Sequence, residues 1–313
     1  MPIKWLKSLD RSGQSNLMRH ITVLLKETVD GLSPKSGGIY VDGTLGGGGH
    51  TEQICKVAPG STIIGIDADS EAIERSKARL AGFPCKLITS LNFNDKIDEI
   101  LNENEIEEVD GVLLDLGMSS DQLDRSGRGF SFLRDEPLKM TMQSEVSKDD
   151  LDAYKIVNHF NEEQLATIIY GYGEETYSRR IAKGIVEARE ISEIKTTGQL
   201  ADIIKKSVPF KYRIGKTHPA TKTFQALRIS VNDELERLET TLEKSFNRLK
   251  KGGRLSVISF HSLEDRIVKR FAKAKYDEGL ANLITKKPTI PTPEETKENP
   301  RARSAKLRII EKK

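Results

Sequence analysis

The chain has 313 residues, 36% of them hydrophobic and 31% charged, with a formal net charge of +3. That length supports one large domain or two modest ones with a substantial buried core. The near balance of charge excludes a globally basic nucleic-acid binder, and no apolar run reaches the roughly 18 residues of a membrane span.

Residues 1–19 are polar and basic and lack the apolar stretch of a signal peptide, so they read as a loosely ordered leader on a cytoplasmic protein. The only cysteines, Cys55 and Cys85, form no C-x-x-C pair. A zinc or thioredoxin-like site has no support there, no metal is expected, and a reduced compartment is the simple inference.

From His20 onward the pattern tightens. A short apolar-faced helix around Val23–Leu25 gives way to the turn residues Gly31, Ser33 and Pro34. Ile39–Val41 is β-prone and enters a glycine loop, after which a helix is expected near Thr51. Thr62–Ile66 reads as a second strand, Ser70–Leu80 as a helix, Lys86–Ile88 as a third strand and Gly111–Leu116 as a fourth. Strands alternating with helices, each strand continuously apolar, predict a parallel sheet covered by helices.

The rhythm changes near Met140. From Ser147 to Ser207 only helical signals occur: a helix from Ser147 through Val157, a second after Asn161, a third over Tyr177–Glu190 and a fourth capped by Thr197. The expected division is therefore a main domain over residues 20–140 and 218–313, with a helical insertion over 141–217. In the second half of the main domain, Leu235, Leu238, Leu242, Phe246 and Leu249 share a helix face closed by Gly252 and Gly253. Arg254–Phe260 is a strand, Ser262 opens another helix with Asp265 three residues on, and Ala305–Ile310 alternates enough for an edge strand.

Asp42-Gly43-Thr44-Leu45-Gly46-Gly47-Gly48-Gly49-His50 lies between a predicted strand and a predicted helix. Glycines there let the backbone turn sharply and approach a ligand. A dinucleotide fingerprint fails because Thr51 stands where the third glycine belongs, and no Gly-Lys-Ser/Thr follows for a P-loop. Asp42 would face a pyrophosphate unfavourably and suits a cationic ligand such as the amino-acid end of S-adenosylmethionine. Asp67 ends the second strand, where a carboxylate accepts ribose hydroxyls; Asp69 or Ser70 then caps the next helix. Asp115 ends the fourth strand, and Phe93 follows the third, either packing on adenine or filling the core. Parallel sheets bind ligands beyond the carboxyl ends of their strands, so the three carboxylates form one constellation.

These residues resemble a known family. Asp42–His50, Leu113–Gln122, Arg128–Phe132, His218–Arg228, Ser259–Asp265 and Asn299–Arg308 are similar to the MraW family, the ribosomal RNA small subunit methyltransferases H, from about His20 to the end. The resemblance implies an α/β class I methyltransferase fold, Rossmann-like and mostly parallel, with an inserted all-helical domain. It implies N4-methylation of a cytidine in the decoding region of 16S rRNA, within the small ribosomal subunit, with S-adenosylmethionine as donor. It also implies cofactor contacts at Gly48, Gly49, His50, Asp67, Phe93, Asp115 and Gln122; His50 and Gln122 come from the resemblance alone. The prolines and aromatic that follow the fourth strand in many amino-methyltransferases are missing, since Asp115-Leu116-Gly117-Met118 stands there.

For the acceptor amine, candidate partners are the backbone near Leu116 and the side chains of Asp115, Ser119 and His261; His261 fits a structural role equally. On the RNA side, no acidic residue falls between Asp202 and Asp233, whereas Lys205, Lys206, Lys211, Arg213, Lys216, Lys222 and Arg228 do. Phosphate neutralisation there, with stacking on Phe210, Tyr212 or Phe224, is the expected RNA contact. Phe130, Phe132 and Arg134 fit either a grip on the extruded base or, for the phenylalanines, a buried place. Competing classes are a methyltransferase of DNA or protein, a nicotinamide oxidoreductase disfavoured by Asp42 and Thr51, and a non-catalytic RNA-binding module, which leaves the three carboxylates unexplained.

Overall fold

The structure, a computed structural model, describes residues 21–119, 122–123, 126–144, 147 and 149–313. The leader expected at 1–19 lies outside them. Among the described residues, seven strands form one sheet: β1 (Ile39–Asp42), β2 (Thr62–Asp67), β3 (Lys86–Leu91), β4 (Val109–Asp115), β5 (Leu249–Ser259), β6 (Ala281–Leu283) and β7 (Lys306–Lys312). The spatial order is β3-β2-β1-β4-β5-β7-β6. The first five strands are mutually parallel, and β7 runs antiparallel to both β5 and β6. This is the mostly parallel, Rossmann-like sheet that the resemblance implies.

The apolar strands explain the layering. Val41, Ile64, Val112, Leu114 and Val257 sit in one buried cluster with Leu238, Leu242 and Phe246 from the helix Glu234–Asn247. Tyr40 and Ile63 point the other way, onto Val29 and Leu32 of the helix Leu25–Leu32 and Ile54 of the helix Gly49–Val57. Successive residues serve opposite faces, and both faces are covered, so the strands need no polar alternation.

A separate core lies in the helical segment. Its helices are Ala153–His159, Glu162–Gly173, Ser178–Ile191, Thr197–Ser207 and Thr221–Asn232, with a short turn at Phe210–Arg213. They enclose Ile156, Leu165, Ile169, Ile181, Ile185, Leu200 and Ile204, together with Phe130, Leu138 and Met140 before them and Ala220, Phe224 and Leu227 after them. The helical core thus draws on residues at both flanks of the 141–217 stretch.

Several local expectations need correction. The helix placed at Ser147–Val157 starts at Ala153, because the Asp152 carboxylate accepts the Lys155 amide and Ser147 caps nothing helical. Thr196, rather than Thr197, caps the fourth helix, with Gln199 completing a reciprocal cap. Gly252 and Gly253 lie inside β5 near a register shift against β4. The strand near the C-terminus is not an edge: it pairs with β5 on one side and with β6, which no sequence signal announced, on the other. Finally, Cys55 and Cys85 are joined in a disulfide across Cα atoms 5.4 Å apart. The free, reduced thiols expected from the missing C-x-x-C pair are replaced by a link between two elements 30 residues apart.

Candidate cofactor and acceptor site

The strand order reverses between β1 and β4, since β2 leaves β1 to one side and β4 to the other. A crevice opens beyond the carboxyl ends of strands at such a switch point. Here it is bordered by the glycine loop, Asp67, Phe93, Asp115, Gln122 and Phe260, among others.

Asp42 is the innermost carboxylate. Its Oδ2 accepts the Thr51 hydroxyl at 2.7 Å and its Oδ1 the Thr44 amide at 3.2 Å. Thr51, which breaks the dinucleotide fingerprint, is therefore the partner that holds Asp42 in place. Asp67 accepts the Gly46 amide on Oδ2 at 2.8 Å and the Asp69 amide on Oδ1 at 2.9 Å, so it fastens the glycine loop to the end of β2. Each oxygen keeps a lone pair for a ribose hydroxyl. Asp69 caps the next helix by accepting the Glu71 amide. Asp115 differs: its backbone amide donates to Thr44 Oγ1 at 2.6 Å, but its buried Oδ1 has no hydrogen-bond partner.

Burial lifts all three carboxyls. Asp42 and Asp67 rise to about 6, each chiefly by desolvation. Asp115 rises to about 8, through desolvation and then the negative charges of Asp42 and Glu264. Such a trio attracts a cation and repels a pyrophosphate.

His50, on the first turn of its helix, is buried; its Nε2 meets the Val23 carbonyl at 3.1 Å and its Nδ1 lies 3.7 Å from Asp115 Oδ2. Gly49 needs its missing Cβ, which would meet Thr22 Oγ1 at 2.0 Å. Gly48 does not border the cavity: at φ +72° it turns the chain into the helix, with Ser76 Oγ 3.2 Å from where a Cβ would stand. Arg237 covers one face of Phe93 at 3.9 Å, leaving the ring at the cavity wall. Gln122 Oε1 accepts the Ser119 amide and Ser119 Oγ accepts the Gln122 amide, which fixes the turn after β4.

The acceptor-side candidates separate. His261 is the cap of the helix Ser262–Asp277: its Nδ1 accepts the Glu264 amide, and Glu264 accepts the Phe260 and His261 amides in return. The cap expected at Ser262 thus stands one residue earlier. Phe130 is buried in the helical core, not at the cavity, and Phe132 stacks on His218 at 4.4 Å. Arg134 is exposed away from the cavity wall, where its carbonyl accepts the Thr197 hydroxyl. Lys205, Lys206 and Lys211 are exposed on the helical segment. Arg213 instead donates to the Val208 and Lys206 carbonyls, closing the helix Thr197–Ser207. Arg228 is half-buried in a two-bond pair with Glu234, each 2.7 Å, and is lost to the basic surface.

Sequence reasoning missed Arg128. Its Nη2 donates to Asp69 Oδ2 at 2.6 Å, and its Nη1 donates to the carbonyls of Thr141, Met142 and Gln143. It ties the segment entering the helices to the end of β2. The one signal that could have found it was its place in the Arg128–Phe132 run.

The MraW methylase family model matches residues 17–313. The chain belongs to that family. Ribosomal RNA small subunit methyltransferase H from two Clostridium botulinum strains, Kyoto and 657, is 47% identical over 310 residues, covering 94% of this chain and 99% of each relative. A solved rRNA methylase from Streptococcus thermophilus is 12% identical with a TM-score of 0.42, over 92% of this chain and 93% of that one. The chain is a methyltransferase, and S-adenosylmethionine is its cofactor.

The residues present fit that cofactor. At the cavity wall, Asp115 would offer its charge to a sulfonium or ammonium, Asp67 would accept ribose hydroxyls and Phe93 would wall the adenine, whereas Asp42, expected to face the cation, does not line the cavity.

Proposed function

We propose that the protein methylates the N4 amine of a cytidine in the decoding region of 16S rRNA, within the small ribosomal subunit in the cytoplasm. The observation that carries it is the cluster of three strand-end carboxylates around the glycine loop, each raised by desolvation, in a chain of the MraW family. No feature favours DNA or protein as the acceptor.

S-adenosylmethionine supplies a methyl group activated by its sulfonium. The protein's work is alignment and charge. Asp67 and the backbone of the glycine loop orient the ribose end, and Asp42, holding Thr51 and the Thr44 amide, sets the loop from behind. The cytosine amine is weakly nucleophilic because its lone pair is delocalised, so acceptors near it matter most. The Asp115 carboxylate, at the cavity wall, accepts a hydrogen from the amine. Ionised beside the bound cation, Asp115 would also take the proton that nitrogen loses as it gains the methyl, and its raised carboxyl makes it the stronger base.

We also assign the helical unit, from about Phe130 to Asn232, to RNA recognition, with the sheet unit carrying the cofactor. The boundaries follow the buried clusters rather than the change of periodicity. The Lys205, Lys206 and Lys211 side chains, with exposed Phe210, form its basic, aromatic surface.

The test is methyl transfer from labelled S-adenosylmethionine to small subunits lacking the modification, to free DNA and to protein. Digested rRNA should yield labelled N4-methylcytidine. Label confined to DNA or protein, or to another rRNA atom, overturns the assignment.

A further inference from the structure

The turn after β4 offers no aromatic on which a target base could stack, since Leu116-Gly117-Met118 follows Asp115. We propose that Phe260, at the end of the neighbouring strand, is the surface on which the target cytosine stacks. This rests on the N4-cytidine assignment above.

The cavity has two aromatic walls among the described residues, Phe93 and Phe260. They stand at opposite ends of the site: Phe93 follows β3, and Phe260 follows β5. The reaction also brings two planar rings, adenine and cytosine. Asp67 on β2 places the ribose, and hence adenine, toward Phe93. The acceptor must then lie on the β4–β5 side, where Asp115 pairs with Ile258 and Phe260 follows two residues later.

Local structure prepares Phe260 for this role. Its amide donates to Glu264 Oε2 at 2.7 Å, so the backbone is fixed by the cap of the following helix. One part of the ring packs against the apolar cluster that includes Val23, Ala305 and Leu307. Another part lies 3.5 Å from where a Cβ on Gly117 would stand, and Gly117 adopts φ +90°. A side chain at 117 would be strained and would crowd the ring. The turn after β4 thus gives up its own aromatic and makes room for one from β5.

The adjacent cluster Glu234, His261 and Glu264 brings ligand atoms within 4.8 Å of one another, but those atoms are already engaged within the protein. Arg228 holds both oxygens of Glu234. With His261 Nδ1 accepting the Glu264 amide, Nε2 carries the hydrogen and faces Glu264 Oε1 at 3.1 Å. That cluster braces the Phe260 wall.

The experiment compares Phe260→Leu and Phe260→Tyr with wild type. Leu keeps apolar bulk against Val23 and Ala305 but loses the ring; Tyr keeps the ring and adds a hydroxyl beside an apolar cluster. A purely structural Phe260 predicts a tolerated Leu and a damaging Tyr. The stacking role predicts the reverse. Phe260→Leu should lose about 5- to 150-fold in kcat/KM on unmodified small subunits, the range that base–aromatic stacking supports. Its S-adenosylmethionine affinity by calorimetry should stay within about two-fold of wild type, and Phe260→Tyr should keep most of the activity. Full activity of Phe260→Leu overturns the proposal, as does a loss of cofactor affinity in that variant, which would place Phe260 on the cofactor wall. Wild-type activity on the same subunits is the control: its absence defeats the N4-cytidine assignment instead.

Discussion

Asp67 and Asp115 are both strand-end carboxylates, yet they do different work. Asp67 already accepts two backbone amides, one from the glycine loop, so its side chain shapes the site before any ligand arrives. Asp67→Ala should weaken S-adenosylmethionine binding by roughly ten-fold or more, since charge-assisted hydrogen bonds contribute about 1.5–3 kcal/mol each. Calorimetry on a variant shown to be folded by circular dichroism checks this; wild-type affinity would rule the contact out. Asp115 has a buried oxygen with no partner and a carboxyl raised to about 8. The folded protein therefore binds more protons than the unfolded chain between the ordinary carboxylate range and about pH 8. Stability of the cofactor-free protein should fall as pH rises through that window, because burial of the charged form is costly. Bound S-adenosylmethionine offsets that charge, so its stabilising effect should grow from pH 5 to pH 8. Thermal melts with and without the cofactor read both trends, and Asp115→Asn should flatten the first while reducing methyl transfer. A cofactor-free melt that is independent of pH in wild type would sink the account.

Elements were legible where the sequence carries its own periodicity or cap. Continuous apolar runs marked β1, β2 and β4, and Asn161 marked a helix start, where the structure adds Gln164 to complete a reciprocal cap. The site's glycine loop and its three carboxylates were legible for the same reason, since each stands at a strand end. What escaped were pairings that no local pattern encodes. β6 has three residues and exists because β7 offers it a partner. The Cys55–Cys85 link depends on β3 reaching the helix Gly49–Val57. Arg128 is the functional instance: its partners, Asp69 and the Thr141–Gln143 carbonyls, lie far off in sequence or on a loop without periodicity. Arg128→Ala leaves the buried Asp69 carboxylate without its ion pair, which typically costs about 3–5 kcal/mol. Urea unfolding should show that loss, and cofactor affinity should drop because Asp69 supports Asp67 through its amide. Arg128→Lys should not rescue it, since a point-like ammonium cannot reach Asp69 and three carbonyls together. A Lys variant with wild-type stability and affinity would show the brace to be dispensable.

At the scale of the whole molecule, two buried clusters face one cavity. The helical unit sends Met142 and Asn232 to the cavity wall, while the sheet unit supplies the carboxylates. Glu174, at the end of one insertion helix, accepts the Ser262 hydroxyl at 2.5 Å and the Arg266 guanidinium at 2.9 Å, so the units are latched beside Phe260. RNA held on the helical unit would therefore be presented to the acceptor side of the cofactor. The structure also decides which basic residues can do the holding. Arg213 closes a helix and Arg228 is tied to Glu234 by two bonds, so removing either would test folding more than binding. Lys205, Lys206, Lys211 and Lys216 are exposed, and none of them is needed to close a helix. Replacing these four by Ala should lower affinity for small subunits. It should also make the dependence of log K on log salt shallower by nearly one for each phosphate no longer neutralised, or about 0.7 where the RNA is single-stranded. S-adenosylmethionine affinity should not change, because the site proposed for it lies over the sheet at Asp67 and Asp115. A fold defect would reduce both affinities, which separates it from weakened phosphate binding. An unaltered salt slope in a quadruple variant that still methylates small subunits would make the patch a solvated face and move the RNA-binding surface elsewhere.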